Sequence, residues 1–250
     1  MHLQIAEQIL TALDEGSTSN GRLHPDLCEN LPAFFFGNIA PDFQIICNLP
    51  RIESHFYPIP PAEDDDAFGK MLTKYPDLQI TTNLTREHAI FIAAYGAHLL
   101  LDLIWFNEIL VPYFVKSKTL ADRPHRRFIH FTVLAYLDQL AYDSLSPSTG
   151  QLLAAAAPKN WIPFGKTNDL IEWRDLVANQ LVPGAATETA AIFAERLNMT
   201  PEAFAANLQD ATWMEPNVFN IVPMDSIQAI LKTAVPRSIQ LLSDYLYPKH

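Results

Sequence analysis

The sequence predicts an all-α protein, and three observations carry that expectation. Apolar residues recur at helical spacing in segment after segment, from Leu3, Ile5, Ala6, Ile9, Leu10 and Leu13 to Met224–Tyr245. No run alternates polar and apolar residues long enough to read as a strand. Residues suited to helix starts and stops punctuate the segments, as in Thr200-Pro201-Glu202, a cap, a first-turn proline and an acidic first turn in succession. The 250 residues are 49% apolar and 18% charged, which excludes a disordered chain. No repeat or low-complexity linker divides them, so residues 1–250 are expected to form one domain with one core.

Taken in order, the first helix covers Leu3–Leu13, with Gly16 as its stop. From Ser17 to Pro61 seven prolines (Pro25, Pro32, Pro41, Pro50, Pro58, Pro60 and Pro61) rule out a long helix and predict a long N-terminal loop region wrapping the core. Asp64-Asp65-Asp66 reads as the N-terminus of a helix through Leu72, because carboxylates complement exposed N–H groups there. Calcium-loop spacing is absent. Asn83 or Thr85 caps a long apolar helix running toward Pro112, and Asp122 or Pro124 starts another ending near Asp143. Further segments are expected at Gly150–Ala157, Asn168–Leu181, Ala186–Leu197, Pro201–Leu208 and Met224–Tyr245.

Composition narrows the function. A net charge of −11 and a pI near 5.1 oppose a broad basic footprint, so no stable nucleic-acid partner is expected. Two cysteines cannot build a multi-bridge secreted scaffold or a thiolate zinc site. Met1–Glu7 shows no basic stretch leading into an apolar core, so no secretory leader is expected and the location is expected to be cytoplasmic. Ala89–Phe106 approaches membrane-spanning length, but His98 and Asp102 lie inside it. A central Asp alone costs roughly 2.5–3.5 kcal/mol on insertion. A buried core helix is therefore expected rather than a transmembrane segment, and its ionisable residues need partners.

His98 and Asp102 are four residues apart, about 400° of helical rotation, and so share one face. An imidazole and a carboxylate so placed can hold one cation, or can satisfy each other in a core. Asp42, in an apolar proline-bearing stretch, and His55, in Ser54-His55-Phe56-Tyr57, would complete a four-ligand nitrogen–oxygen site. Such a donor set suits zinc, with iron or manganese as alternatives. His88 is about 80° off the His98 face and roughly 15 Å along the axis, a poor co-ligand. Glu87, Glu108 and Asp138 are further acid/base candidates, and His24 reads as a loop residue. Phosphate-loop, dinucleotide and nucleophile-elbow motifs are absent from the sequence.

His2-Leu3-Gln4-Ile5-Ala6, Gly37-Asn38-Ile39-Ala40-Pro41-Asp42, His55-Phe56 and Ala94-Tyr95-Gly96-Ala97-His98-Leu99-Leu100-Leu101-Asp102 follow one another in order. In this combination the sequence resembles the zinc-dependent phospholipase C family, which is related in fold to the nucleases of single-stranded nucleic acids. The matched motifs run from His2 to Asp102, about two fifths of the chain. The resemblance implies an all-α, single-core bundle of the phospholipase C and single-strand nuclease type. It also implies a hydrolase acting on a small phosphoester or phospholipid head group through a metal-activated water, with one to three zinc ions. Asp42, His55, His98 and Asp102 match the ligands of one zinc, Asp42 also serving as base, and His2 matches a ligand of a second metal bridged by Asp102. The third metal of the family needs a His soon after that Asp and a His-x-x-x-Glu later. Here Leu103–Glu108 contains no histidine, and Leu134 stands four residues past His130, leaving His130 as a lone candidate with Asp138 two turns on. The alternatives are a reduced-site, metal-binding protein without catalysis and a nuclease-like phosphodiesterase. The sequence does not specify the oligomeric state.

Overall fold

The structure, a computed structural model, describes residues 1–16, 21–182, 184–185 and 188–248, and no strand occurs among them. Helix α1 spans His2–Glu15, α2 Leu23–Glu29 and α3 Leu31–Gly37, followed by a 3-10 stretch at Ala40–Ile45 and α4 at Arg51–His55. Helix α5 covers Ala67–Lys74. Helix α6, Arg86–Ile104, continues without a break as a π-helical stretch, Trp105–Val115. Then come α7 (Arg123–Ser144), α8 (Thr149–Ala154), α9 (Thr167–Gln180), α10 (Thr189–Arg196), α11 (Pro201–Gln209) and α12 (Ala211–Met214). A π-helical turn, Glu215–Phe219, leads to α13, Met224–Leu246. The expected start of one segment at Ala186 lies outside the described residues.

Caps explain several boundaries. The Asp66, Thr85, Asp122 and Thr200 side chains each accept a hydrogen bond from the backbone N–H three residues on. Asp65, beside the first of these, pairs with Lys70 at 2.6 Å.

Three expectations need correction. The proline-rich stretch before Pro61 is not a loop throughout: α2, α3, the 3-10 stretch and α4 lie within its described part. Pro25, Pro32 and Pro41 occupy first turns, where a missing N–H costs nothing, and Pro50 is the residue before α4. Pro112 does not end the long helix, because it falls inside the π-helical stretch, where the hydrogen-bond pattern is already altered. Finally, the apolar interior formed by the described residues divides into three clusters rather than one. The largest joins α1, α3, α6, α9 and α13. A second gathers Ile109, Phe114, Ile129, Val133, Val218 and Ile227, and a small third surrounds Phe204. Ile230 and Leu231 pack against both of the first two.

Helix α6 is the axis of the main cluster, packed chiefly between α3 and α13. Ile90, Phe91, Ile92, Tyr95 and Leu99 are fully buried. At about 1.5–3 kcal/mol per large apolar side chain, their burial supplies what an isolated helix lacks. The stretch Arg86–Val115 is long and apolar enough to cross a membrane, yet most of its apolar window is buried inside the protein. Close approach of α3 to α6 depends on Gly37, where a Cβ would lie 2.4 Å from the Phe91 carbonyl oxygen and 2.6 Å from the Ala94 Cβ. That approach fixes the site, because the residue after Gly37 holds a histidine of α6.

Candidate metal centre

His98 emerges from the buried face of α6, and its Nδ1 lies 2.8 Å from the Asn38 carbonyl oxygen at the end of α3. A main-chain carbonyl only accepts, so Nδ1 carries the proton and Nε2 presents a lone pair. His55 ends α4, with its Nδ1 2.8 Å from the Ser54 hydroxyl. Both histidines are almost entirely buried, and the Nε2 atom of each has no hydrogen-bond partner. An unpartnered nitrogen in such a place costs about 1–3 kcal/mol unless something binds it.

Two carboxylates face these nitrogens. His55 Nε2 lies 3.4 Å from Asp42 Oδ1 and 3.5 Å from Asp102 Oδ2. His98 Nε2 lies 3.9 Å from Asp42 Oδ2 and 3.9 Å from Asp102 Oδ2. Donor atoms each about 2.0–2.1 Å from a tetrahedral zinc are roughly 3.3–3.4 Å apart, so Asp42, His55 and His98 lie near the spacing that one small divalent ion requires. On the other side the His2 ring stacks on His98, centroids 3.7 Å apart and planes 9° apart, with its Nε2 3.5 Å from Asp102 Oδ1. Among the described residues, two groups of three thus have donor atoms within one ion's reach: Asp42, His55 and His98, and His2, His98 and Asp102.

Local backbone explains how these side chains meet. Phe56 adopts a left-handed conformation, φ 60°, directly after His55. For a bulky residue that costs on the order of 1–3 kcal/mol. Its ring is held edge-on between Phe164 and Tyr75, at 5.1 and 6.2 Å. The reversal brings His55 and Tyr57 to the same carboxylate: the Tyr57 hydroxyl donates to Asp102 Oδ2 at 2.9 Å. Arg51, one turn before His55, donates to that oxygen at 2.8 Å, and its guanidinium lies 4.6 Å over the Tyr57 ring.

The electrostatics favour charged carboxylates and neutral imidazole. Burial alone would raise the Asp102 carboxyl, but His2, His98 and His55 outweigh it and hold Asp102 well below the usual carboxylate range. Asp42 is lowered in the same way, mainly by His98 and His55 against burial. Burial, then the neighbouring His2, lowers His98 to about 3 despite both carboxylates. Burial and the Asp102 charge raise the Tyr57 hydroxyl, keeping it a donor. A neutral imidazole and an ionised carboxylate are the forms that bind metal.

The other sequence candidates sit elsewhere. His130 is not in either metal-sized group; its Nε2 accepts from the Trp105 indole at 3.1 Å, and Phe114 and Phe131 flank its ring. Asp138 receives the Met1 ammonium at 2.9 Å and the Thr189 hydroxyl at 2.6 Å. Glu108 pairs with Arg237, and His88 lies 2.7 Å from the Trp161 carbonyl oxygen. His24 contacts Cys28. Sequence reasoning missed Arg51, Tyr57, Ser54 and the Asn38 carbonyl. Only Arg51 left a signal, a cation one helical turn ahead of His55. Compared with known protein families, with curated proteins and with solved structures, the chain matches none of them, so the reading of this centre rests on its geometry.

Proposed function

We propose that the chain is a zinc-dependent phosphoester hydrolase of the phospholipase C type, with Asp42, His55 and His98 as the residues that hold the ion and Asp102 facing it under the hold of Arg51 and Tyr57. The observation that carries this reading is the pair of buried Nε2 atoms, unpartnered and opposed to two carboxylates at 3.4–3.9 Å. Two imidazole nitrogens and a carboxylate at that spacing suit zinc better than the oxygen-rich shells of calcium or magnesium, and three protein ligands leave a position for water. When bound, such an ion supplies Lewis acidity toward a phosphoryl oxygen and acidifies a coordinated water.

The chain's own residues do the rest. Ser54 and the Asn38 carbonyl orient the two imidazoles, a task that partners of metal-bound histidines commonly perform. Arg51 and Tyr57 fix Asp102. Asp42 keeps about a third of its side-chain surface exposed, 34%, so water reaches it and it can take a proton from an attacking water. Its lowered pKa makes it a weak base toward free water, so proton transfer depends on the water being acidified first.

A second reading is a metal-stabilised binding protein of the same fold without turnover. It is favoured by the engagement of His130 with Trp105 and of Asp138 with Met1 and Thr189, which leaves neither to extend the cluster. Metal content by mass spectrometry, with hydrolysis of a chromogenic phosphocholine ester before and after chelation, separates the readings. Zinc-dependent turnover supports the hydrolase. Stoichiometric zinc without turnover of any phosphoester overturns it and favours the binding protein, whereas turnover of single-stranded nucleic acid alone points to a nuclease.

A further inference from the structure

His98 can serve only one ion. Its Nδ1 is committed to the Asn38 carbonyl, and Nε2 is the single nitrogen that both metal-sized groups share. Filling the group of Asp42, His55 and His98 therefore leaves His2 and Asp102 to hold any second ion.

Asp102 is itself contested. Its Oδ2 already accepts from Arg51 Nη2 and from the Tyr57 hydroxyl, while Oδ1 faces His2. A guanidinium is permanently charged, and Arg51 is fixed by its stack on Tyr57 as well as by the carboxylate. Its second nitrogen, Nη1, is buried and has no hydrogen-bond partner, although a guanidinium presents donors in a fork that matches a phosphoryl group.

We propose that Arg51 is the second cation of this site: by claiming Asp102 it limits the cluster to one divalent ion, and its Nη1 binds an anionic oxygen of the phosphoester. The inference rests on reading the centre as a zinc-dependent hydrolase. Two carboxylates, one guanidinium and one divalent ion leave a single net positive charge for an anionic substrate. A second divalent ion beside Arg51 would place three like charges around one carboxylate.

The test uses the full chain and two readouts other than turnover. Native mass spectrometry counts zinc in the wild-type protein and in R51Q and R51K, and calorimetry measures inorganic phosphate binding to each zinc-loaded protein. One ion is expected in the wild-type protein and in R51K, whereas R51Q, with Asp102 released, is expected to take a second ion in excess zinc. Phosphate binding is therefore compared at one equivalent of zinc. A folded R51Q that still takes only one ion in excess zinc overturns the limiting role. Phosphate affinity is expected to fall roughly ten- to a hundredfold in R51Q, the effect of one charged hydrogen-bond partner, and by less in R51K, which keeps the charge. Should R51Q fail to fold, the R51K phosphate affinity decides, and equality with wild type overturns the proposal. Two or more ions in the wild type overturn it, as does unchanged phosphate affinity in a folded R51Q, which would reduce Arg51 to a prop for Asp102. A wild-type chain that binds no ion overturns the hydrolase reading first, and the inference with it.

Discussion

The His2 ring lies flat against the His98 ring, 3.7 Å between centroids, although 96 positions of sequence separate the first turn of α1 from the middle of α6. The stack covers one face of His98 and leaves its Nε2 toward Asp42 and His55. His2→Phe keeps a flat ring there and removes both nitrogens. We expect it to retain one zinc, with affinity reduced by less than about tenfold, a smaller loss than a ligand substitution causes. Native mass spectrometry reads the outcome, and loss of the ion would move it to the group containing His2 and Asp102.

Ser54→Ala removes the hydroxyl beside His55 Nδ1 while leaving the backbone of α4 intact. Partners of this kind set ring orientation and ligand basicity, and their loss typically weakens metal binding about ten- to a hundredfold. Competition with a chromogenic zinc chelator measures the change. Affinity equal to wild type would show that packing alone positions the ring.

Zinc binding should stabilise the fold, because the ligands come from the 3-10 stretch, α4 and α6, and meet only in the native state. At a free zinc concentration a hundred times the Kd, the gain is about 2.7 kcal/mol. For a chain of this size that raises Tm by roughly 5–10 °C. Calorimetry with and without chelator checks it, and Asp42→Asn should show a smaller shift.

Burial lowers His130 to about 4, from an ordinary value of 6.5. The unfolded chain therefore binds the proton that the folded chain refuses, and the stability His130 confers is complete above pH 6.5. It is lost as pH falls toward 4, by roughly 3 kcal/mol for a shift of this size. His130→Gln still offers the Trp105 indole an acceptor and does not titrate. Denaturant midpoints from pH 7 to 4 should fall less steeply in the variant, and parallel curves would contradict this account.

Gly37→Ala sets a methyl group against the Phe91 carbonyl and Ala94. Overpacking of this kind costs about 1–3 kcal/mol. It should also weaken zinc binding, since pushing α3 from α6 moves the Asn38 carbonyl away from His98. Stability lost with zinc affinity intact would separate the helix contact from the site.

How much of this was legible in the sequence follows from what residue type can encode. Helical periodicity and caps predict α1, α7, α9, α11 and α13 to within a few residues, and the start of α6, because burial of one face writes itself into the pattern. The helices of the proline-rich region escape because a proline marks a break or a first turn equally well, as Pro32 and Pro41 show. Asp42, His55, His98 and Asp102 stand out as polar groups in apolar surroundings, and the structure brings them together. The Asn38 contribution is invisible, since a backbone carbonyl belongs to every residue. Arg51 reads as a surface cation until the left-handed turn at Phe56 is known. His130 looks like a ligand by type alone, and only three dimensions reveal the indole that occupies its nitrogen.

The change of helical pitch after Ile104 has an architectural consequence. A π turn takes more residues per revolution than an α turn, so the side chains beyond that point rotate out of step with those before it. Leu99, Leu101, Leu103 and Ile104 belong to the main cluster, whereas Ile109 and Phe114 belong to the second. One unbroken rod thus serves two interiors, shifting from one to the other by gearing rather than by bending. Asp102 stands on the last α turn before the shift, so the carboxylate at the centre of the site sits beside the joint that links the two larger clusters.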